Sequence, residues 1–131
     1  MRFSTLIVAL ALSFVIPPTI HAFQSQDLIG QWSGEYNSSA NGRLYEVSWT
    51  VTDVRGERVA GVFYYSGPAS YHNRETKFVG KLKGTVFSAE SVAQFGGPPA
   101  QWEFTIDESG RTMSGTFHAT RSISLTLKKV K

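Results

Sequence analysis

Few residues of this chain could do chemistry. There is no cysteine, so no thiol nucleophile, and three histidines. One of these, His21, falls in the N-terminal segment, which leaves His72 and His118. A metal at His72 would need further ligands. The nearest carboxylate in sequence, Glu75, makes a His-x-x-Glu spacing in an irregular stretch, which has no metal specificity. A Ser-His-Asp arrangement would need a nucleophile elbow of the G-x-S-x-G kind and an oxyanion loop, and the sequence has neither. Glu35, Glu46, Glu103 and Asp107 occupy the polar parity of their segments, so paired carboxylates do not meet inside. Asp53 shares the apolar parity but at a segment end. The expectation is a non-enzymatic protein with no metal and no cofactor.

Aromatic side chains are the chain's main resource, with 3 Trp, 5 Tyr and 9 Phe. Trp32, Tyr36, Tyr45, Trp49, Phe63, Tyr65, Phe78, Trp102, Phe104 and Phe117 all fall on the apolar parity of alternating segments. A tyrosine offers an apolar face with a polar tip, which suits a binding surface better than a solid core.

Period-2 alternation runs through everything after residue 27, and no helical pattern reaches three turns. It predicts eight strands, at 28–37, 43–53, 58–66, 75–82, 85–93, 100–107, 111–119 and 122–130. Consecutive strands with one apolar face each suggest an antiparallel meander. Closing it into a barrel removes its edges and buries that face. A two-sheet sandwich is the competing arrangement. The even strand count, the lack of long crossovers and the small size favour the all-β, eight-stranded up-and-down β-barrel.

Connection lengths alternate. After strands two, four and six come "VRGE", "KG" and "ESG", which read as tight glycine turns. After strands one, three and five come "SSANG", "GPASYHNR" and "QFGGPP". One end of the barrel is therefore sealed by hairpins and the other carries long loops. Long loops on a rigid scaffold are where binding usually sits. The candidate ligand-binding residues at that end are Tyr36, Ser38, Tyr45, Tyr65, Tyr71, His72, Phe95, Trp102 and His118.

Residues 1–22 read as a signal peptide: Met1-Arg2, an apolar run, and a small residue, Ala22, at the end. The run is shorter than the roughly 20 residues of a membrane span, and Pro17-Pro18 breaks it. Residues 23–131 form the barrel domain, secreted or periplasmic, with no transmembrane span. Formal charge is +3, and the basic run at 128–131 is too short to argue for nucleic acid.

The Gly30-Gln31-Trp32 that opens the first strand resembles the G-x-W of the calycin barrels, meaning lipocalins, fatty-acid-binding proteins and avidins. That resemblance implies that Trp32 packs under one end of the barrel with a basic side chain near the last strand across it, Arg121 or Lys128. It does not extend to biotin. Gly34 stands where avidins carry their ligand-binding Asn, and Phe63 where they carry a Tyr. A site built on hydrogen bonds loses heavily without those groups. The expected partner is a small apolar or amphipathic molecule at the long-loop end. The alternative is a protein-binding module, such as an inhibitor whose loops enter the cleft of an exported protein.

Overall fold

A computed structural model describes residues 22–38, 41–68, 72–91, 99–119 and 121–130. The expected signal peptide lies outside the described residues apart from Ala22. Eight strands follow in order: β1 (Gly30–Asn37), β2 (Leu44–Arg55), β3 (Arg58–Tyr65), β4 (Glu75–Lys83), β5 (Val86–Ser91), β6 (Ala100–Ile106), β7 (Thr112–His118) and β8 (Ser122–Lys129). Each pairs antiparallel with the next, and β1 pairs with β8, giving a closed up-and-down barrel. Among the described residues no helix is long and apolar enough to cross a membrane.

The alternation read from the sequence decides what faces inward. β4 and β6 alternate strictly between buried and exposed positions. Trp32, Trp49, Phe87, Phe104 and Phe117 are fully buried. Burial of each such side chain contributes roughly 1.5–3 kcal/mol. Their rings interlock: Trp49 meets Trp102 and Phe104 edge to face at 5.4 and 5.2 Å, and Phe78 meets Trp102 at 5.1 Å. Rings so arranged gain roughly 0.5–1.5 kcal/mol per pair beyond the area they bury.

Glycine makes room where strands approach closely. A Cβ at Gly61 would collide with the Thr50 carbonyl, and one at Gly115 with that of Glu103. Those two positions lead the Gly-x-Phe pairs of β3 and β7. The glycine lets the strand coil against its neighbour, and the Phe two residues on fills the interior. The tight turns hold Gly56, Gly84 and Gly110 at φ of 59, 60 and 70°, where glycine is not strained.

Two local features depart from simple alternation. Residues Ser25–Leu28 form a 3-10 helix, so β1 begins at Gly30, two residues later than the alternation predicts. Leu28 is buried under the barrel rather than in a strand. In β2 the register shifts between Val51 and Asp53. This bulge turns Asp53 toward solvent and buries Val54 in its place, as a bulge does when it inserts one extra residue. Asp53 then pairs with Arg55 at 3.1 Å on the surface.

The 3-10 helix closes one end. Trp32 donates its indole N–H to the Leu28 carbonyl at 2.9 Å. Gln26 donates its side-chain amide to the Val54 carbonyl at 3.0 Å. The basic side chain over Trp32 is Lys129, its Nζ 5.7 Å from the ring centroid and donating to the Asp27 carbonyl. The expectation of Arg121 or Lys128 there is corrected. Both are exposed: Lys128 points outward from its strand, and Arg121 precedes β8 at the opposite end. Only Lys129 has the inward parity at the level of Trp32, with which it pairs across the seam.

Candidate functional site

The end opposite the 3-10 helix gathers tyrosines from three strands. Tyr36 near the end of β1, Tyr45 near the start of β2 and Tyr65 at the end of β3 all have inward parity. β1 and β2 pair in register to Tyr36 and Tyr45, whose ring centroids are 5.9 Å apart. Tyr65 lies 5.2 Å from Tyr36. His72, from the loop that follows β3, meets Tyr65 edge to face at 4.4 Å. The four rings form one cluster at the mouth of the barrel.

The loops are tied to these rings by their polar tips. The Tyr36 hydroxyl donates to the Ser66 carbonyl. Asn41 donates to the Tyr45 hydroxyl at 2.8 Å. Asn73 holds the β3–β4 loop closed: its backbone N–H donates to the Tyr65 carbonyl at 3.0 Å and its side chain to the Gly67 carbonyl at 3.0 Å. It does so at φ 64°, a left-handed conformation that Asn tolerates better than most residues. A Cβ at Gly67 would run into the His72 ring and the Tyr36 hydroxyl, so this loop seats directly on the cluster.

His72 is buried, with 7% of its surface exposed. Burial pushes its imidazole below its ordinary value of 6.5, because a charged ring loses hydration there. Burial therefore favours the neutral imidazole beside the tyrosine rings. Among the described residues, three arginines bring charge to the rim. Arg43, Arg74 and Arg121 each immediately precede a strand that descends from this end, and all three are exposed. They are separate in sequence, and only the alternation of strand direction brings them to one end.

The other expected site residues divide. Ser38 is buried and shapes the β1–β2 loop, its N–H donating to Arg43 and its carbonyl accepting from Gly42. Trp102 is buried one ring layer below the mouth, against Phe63 at 5.0 Å and Phe117 at 6.4 Å. His118 does not join the cluster. It is the last residue of β7 with outward parity, is exposed, and contacts the Ser122 hydroxyl at 2.9 Å. There it borders an open outer trough of about 630 Å³ with Lys81, Glu90, Gln101 and Glu103. Being near a long loop set its height but not its face. Tyr71 and Phe95 lie outside the described residues.

Two polar atoms below the mouth lack partners. The indole nitrogens of Trp49 and Trp102 are buried and have no hydrogen-bond partner among the described residues. An unpaired buried donor costs roughly 1–3 kcal/mol, so each calls for an explanation. Nothing in the alternation distinguished these two tryptophans from the rest of the core.

Comparison with protein-family models, with curated proteins and with solved structures finds no match to this chain.

Proposed function

We propose that this chain is an exported, non-enzymatic binding protein of calycin type that takes a small, partly apolar molecule at its long-loop end. The observation that carries the reading is the convergence of Tyr36, Tyr45, Tyr65 and His72 at one end of a closed barrel. Such rings stack on an apolar body while their tips fix its orientation. The asymmetry of the two ends supports it: one is closed by Leu28, Trp32 and Lys129, and the other is framed by long loops. The described groups at the mouth stack and hydrogen-bond, which is what holding a small molecule requires. Export rests on the charged start, apolar run and Ala22 of the N-terminal segment.

Native mass spectrometry of the full chain, expressed with its N-terminal segment and purified without denaturation from the exported fraction, tests the proposal. The expected result is a small-molecule adduct that is lost in Tyr36→Ala and Tyr65→Ala. A ligand-free protein that co-purifies with an exported protein would replace it with a protein-binding reading.

A further inference from the structure

Trp32 spends its indole N–H on the Leu28 carbonyl. Trp49 and Trp102, 0% and 3% exposed, have no such acceptor among the described residues. An indole nitrogen can only donate. The two rings meet edge to face, 5.4 Å apart. Phe117 contacts both, at 5.6 and 6.4 Å, and Tyr65 of the mouth meets Phe117 at 5.0 Å. Rings in mutual contact therefore link the mouth to the two donors, and a ligand reaches them by moving Tyr65 or Phe117 aside.

We infer that Trp49 and Trp102 are the donors that receive a neutral hydrogen-bond acceptor on the ligand, so that the barrel takes molecules whose apolar body carries a ketone, ester or amide carbonyl at its inner end. This deepens the ligand-binding reading and rests on it. A pure hydrocarbon leaves both donors unpaired. A carboxylate would accept from both, but a buried anion needs a cation beside it. Arg43, Arg74 and Arg121 stay exposed at the rim. Lys129 is at the opposite end, bonded to Asp27, and burial keeps His72 neutral. An anion is held at the rim, and a neutral carbonyl can go deeper.

The test uses the full chain with 15N-labelled indoles and 13C-labelled tyrosine rings and three probes of similar size: acetophenone, with a neutral carbonyl; ethylbenzene, with no acceptor; and benzoate, with an anionic one. Acetophenone is expected to move the indole N–H signals of Trp49 and Trp102 downfield, leave that of Trp32 in place, and bind roughly three- to thirtyfold tighter than ethylbenzene, the worth of one or two neutral hydrogen bonds. Trp49→Phe and Trp102→Phe should each reduce that preference while ethylbenzene still binds. The labelled wild-type spectrum decides even if a variant fails to fold. Equal binding of acetophenone and ethylbenzene, with tyrosine signals moving and indole signals still, would overturn the inference and leave the mouth reading standing. So would tighter binding of benzoate at the indoles, or a long-lived water on both N–H groups that acetophenone does not displace. If no probe moves either the tyrosines or the indoles, both readings fall.

Discussion

The Lys129 ammonium sits over the Trp32 indole, 5.7 Å from its centroid, at the point where the last strand returns to the first. Trp32 is fully buried and bonded to Leu28, while Lys129 reaches across to the Asp27 carbonyl. The pair fastens the 3-10 helix, β1 and β8 to one another. Trp32→Ala should cost about 3–5 kcal/mol, from lost burial plus the cavity left behind. Trp32→Phe should cost about 2 kcal/mol, because it strands the Leu28 carbonyl. Lys129→Met should cost about 1 kcal/mol. Arg121→Ala and Lys128→Ala should stay within about 0.5 kcal/mol of the parent. Urea denaturation followed by tryptophan or far-UV signals gives the ranking. A Lys128 effect as large as that of Lys129 would refute it.

His72 makes the mouth sensitive to acid. Its folded pKa lies below the ordinary 6.5 because burial penalises the charged ring. The unfolded chain therefore takes up the proton first as pH falls. The contribution of neutral His72 is complete above 6.5 and is lost as pH falls through the depressed folded value. Thermal midpoints measured from pH 8 down to pH 4.5 should decline over that window, and His72→Gln should flatten the decline. Acidification should also weaken ligand binding, because an imidazolium against Tyr65 disturbs the cluster. A variant whose profile overlays the parent would show that His72 is not the group responsible.

The fold was largely legible because every strand has one buried face, so burial imposes a period of two that the order of apolar and polar residues reveals. Inward parity held for Trp49, Phe63, Phe104 and Phe117 without any knowledge of partners. It failed where the backbone broke the period. The bulge at Thr52-Asp53 reversed parity, and no residue type announces it. The 3-10 helix at Ser25–Leu28 is four residues long, too short for periodicity to register. The site was legible in part: strand direction brought Tyr36, Tyr45 and Tyr65 to one end. His118 is at the long-loop end by height, but its outward parity keeps it apart from the ring cluster. The unpaired indoles depend on where acceptors sit in three dimensions, which alternation does not encode.

The β3–β4 loop rests on two contacts that can be tested apart. Asn73 supplies two bonds from a left-handed backbone, and Gly67 lies against His72 and Tyr36. Asn73→Ala should destabilise the protein by about 1–2 kcal/mol through the lost side-chain bond and the strained φ. Asn73→Gly relieves the strain and should cost less. Gly67→Ala should displace His72 and lower ligand affinity while leaving the Trp32 end untouched. Amide exchange should show faster opening near Tyr65 and Asn73, with protection around Trp32 unchanged.

Gly115 tests whether close strand approach, rather than turn formation, explains the recurring Gly-x-Phe pairs. It pairs with Phe104 across β6 and β7, and an added Cβ would strike the Glu103 carbonyl and lie 3.0 Å from the Phe104 Cα. Those are backbone atoms, which cannot move aside as a flexible side chain would. Gly115→Ala should therefore cost about 1–3 kcal/mol, as overpacking does, even though alanine has the better strand propensity. The neighbouring Ser114→Ala, on the exposed face, should change stability by less than about 0.5 kcal/mol. Gly61→Ala, against the Thr50 carbonyl, should behave like Gly115→Ala. Equilibrium denaturation of the three variants separates the causes. If Gly115→Ala proved as neutral as Ser114→Ala, the coiled approach of β7 to β6 would have to be relieved by backbone movement.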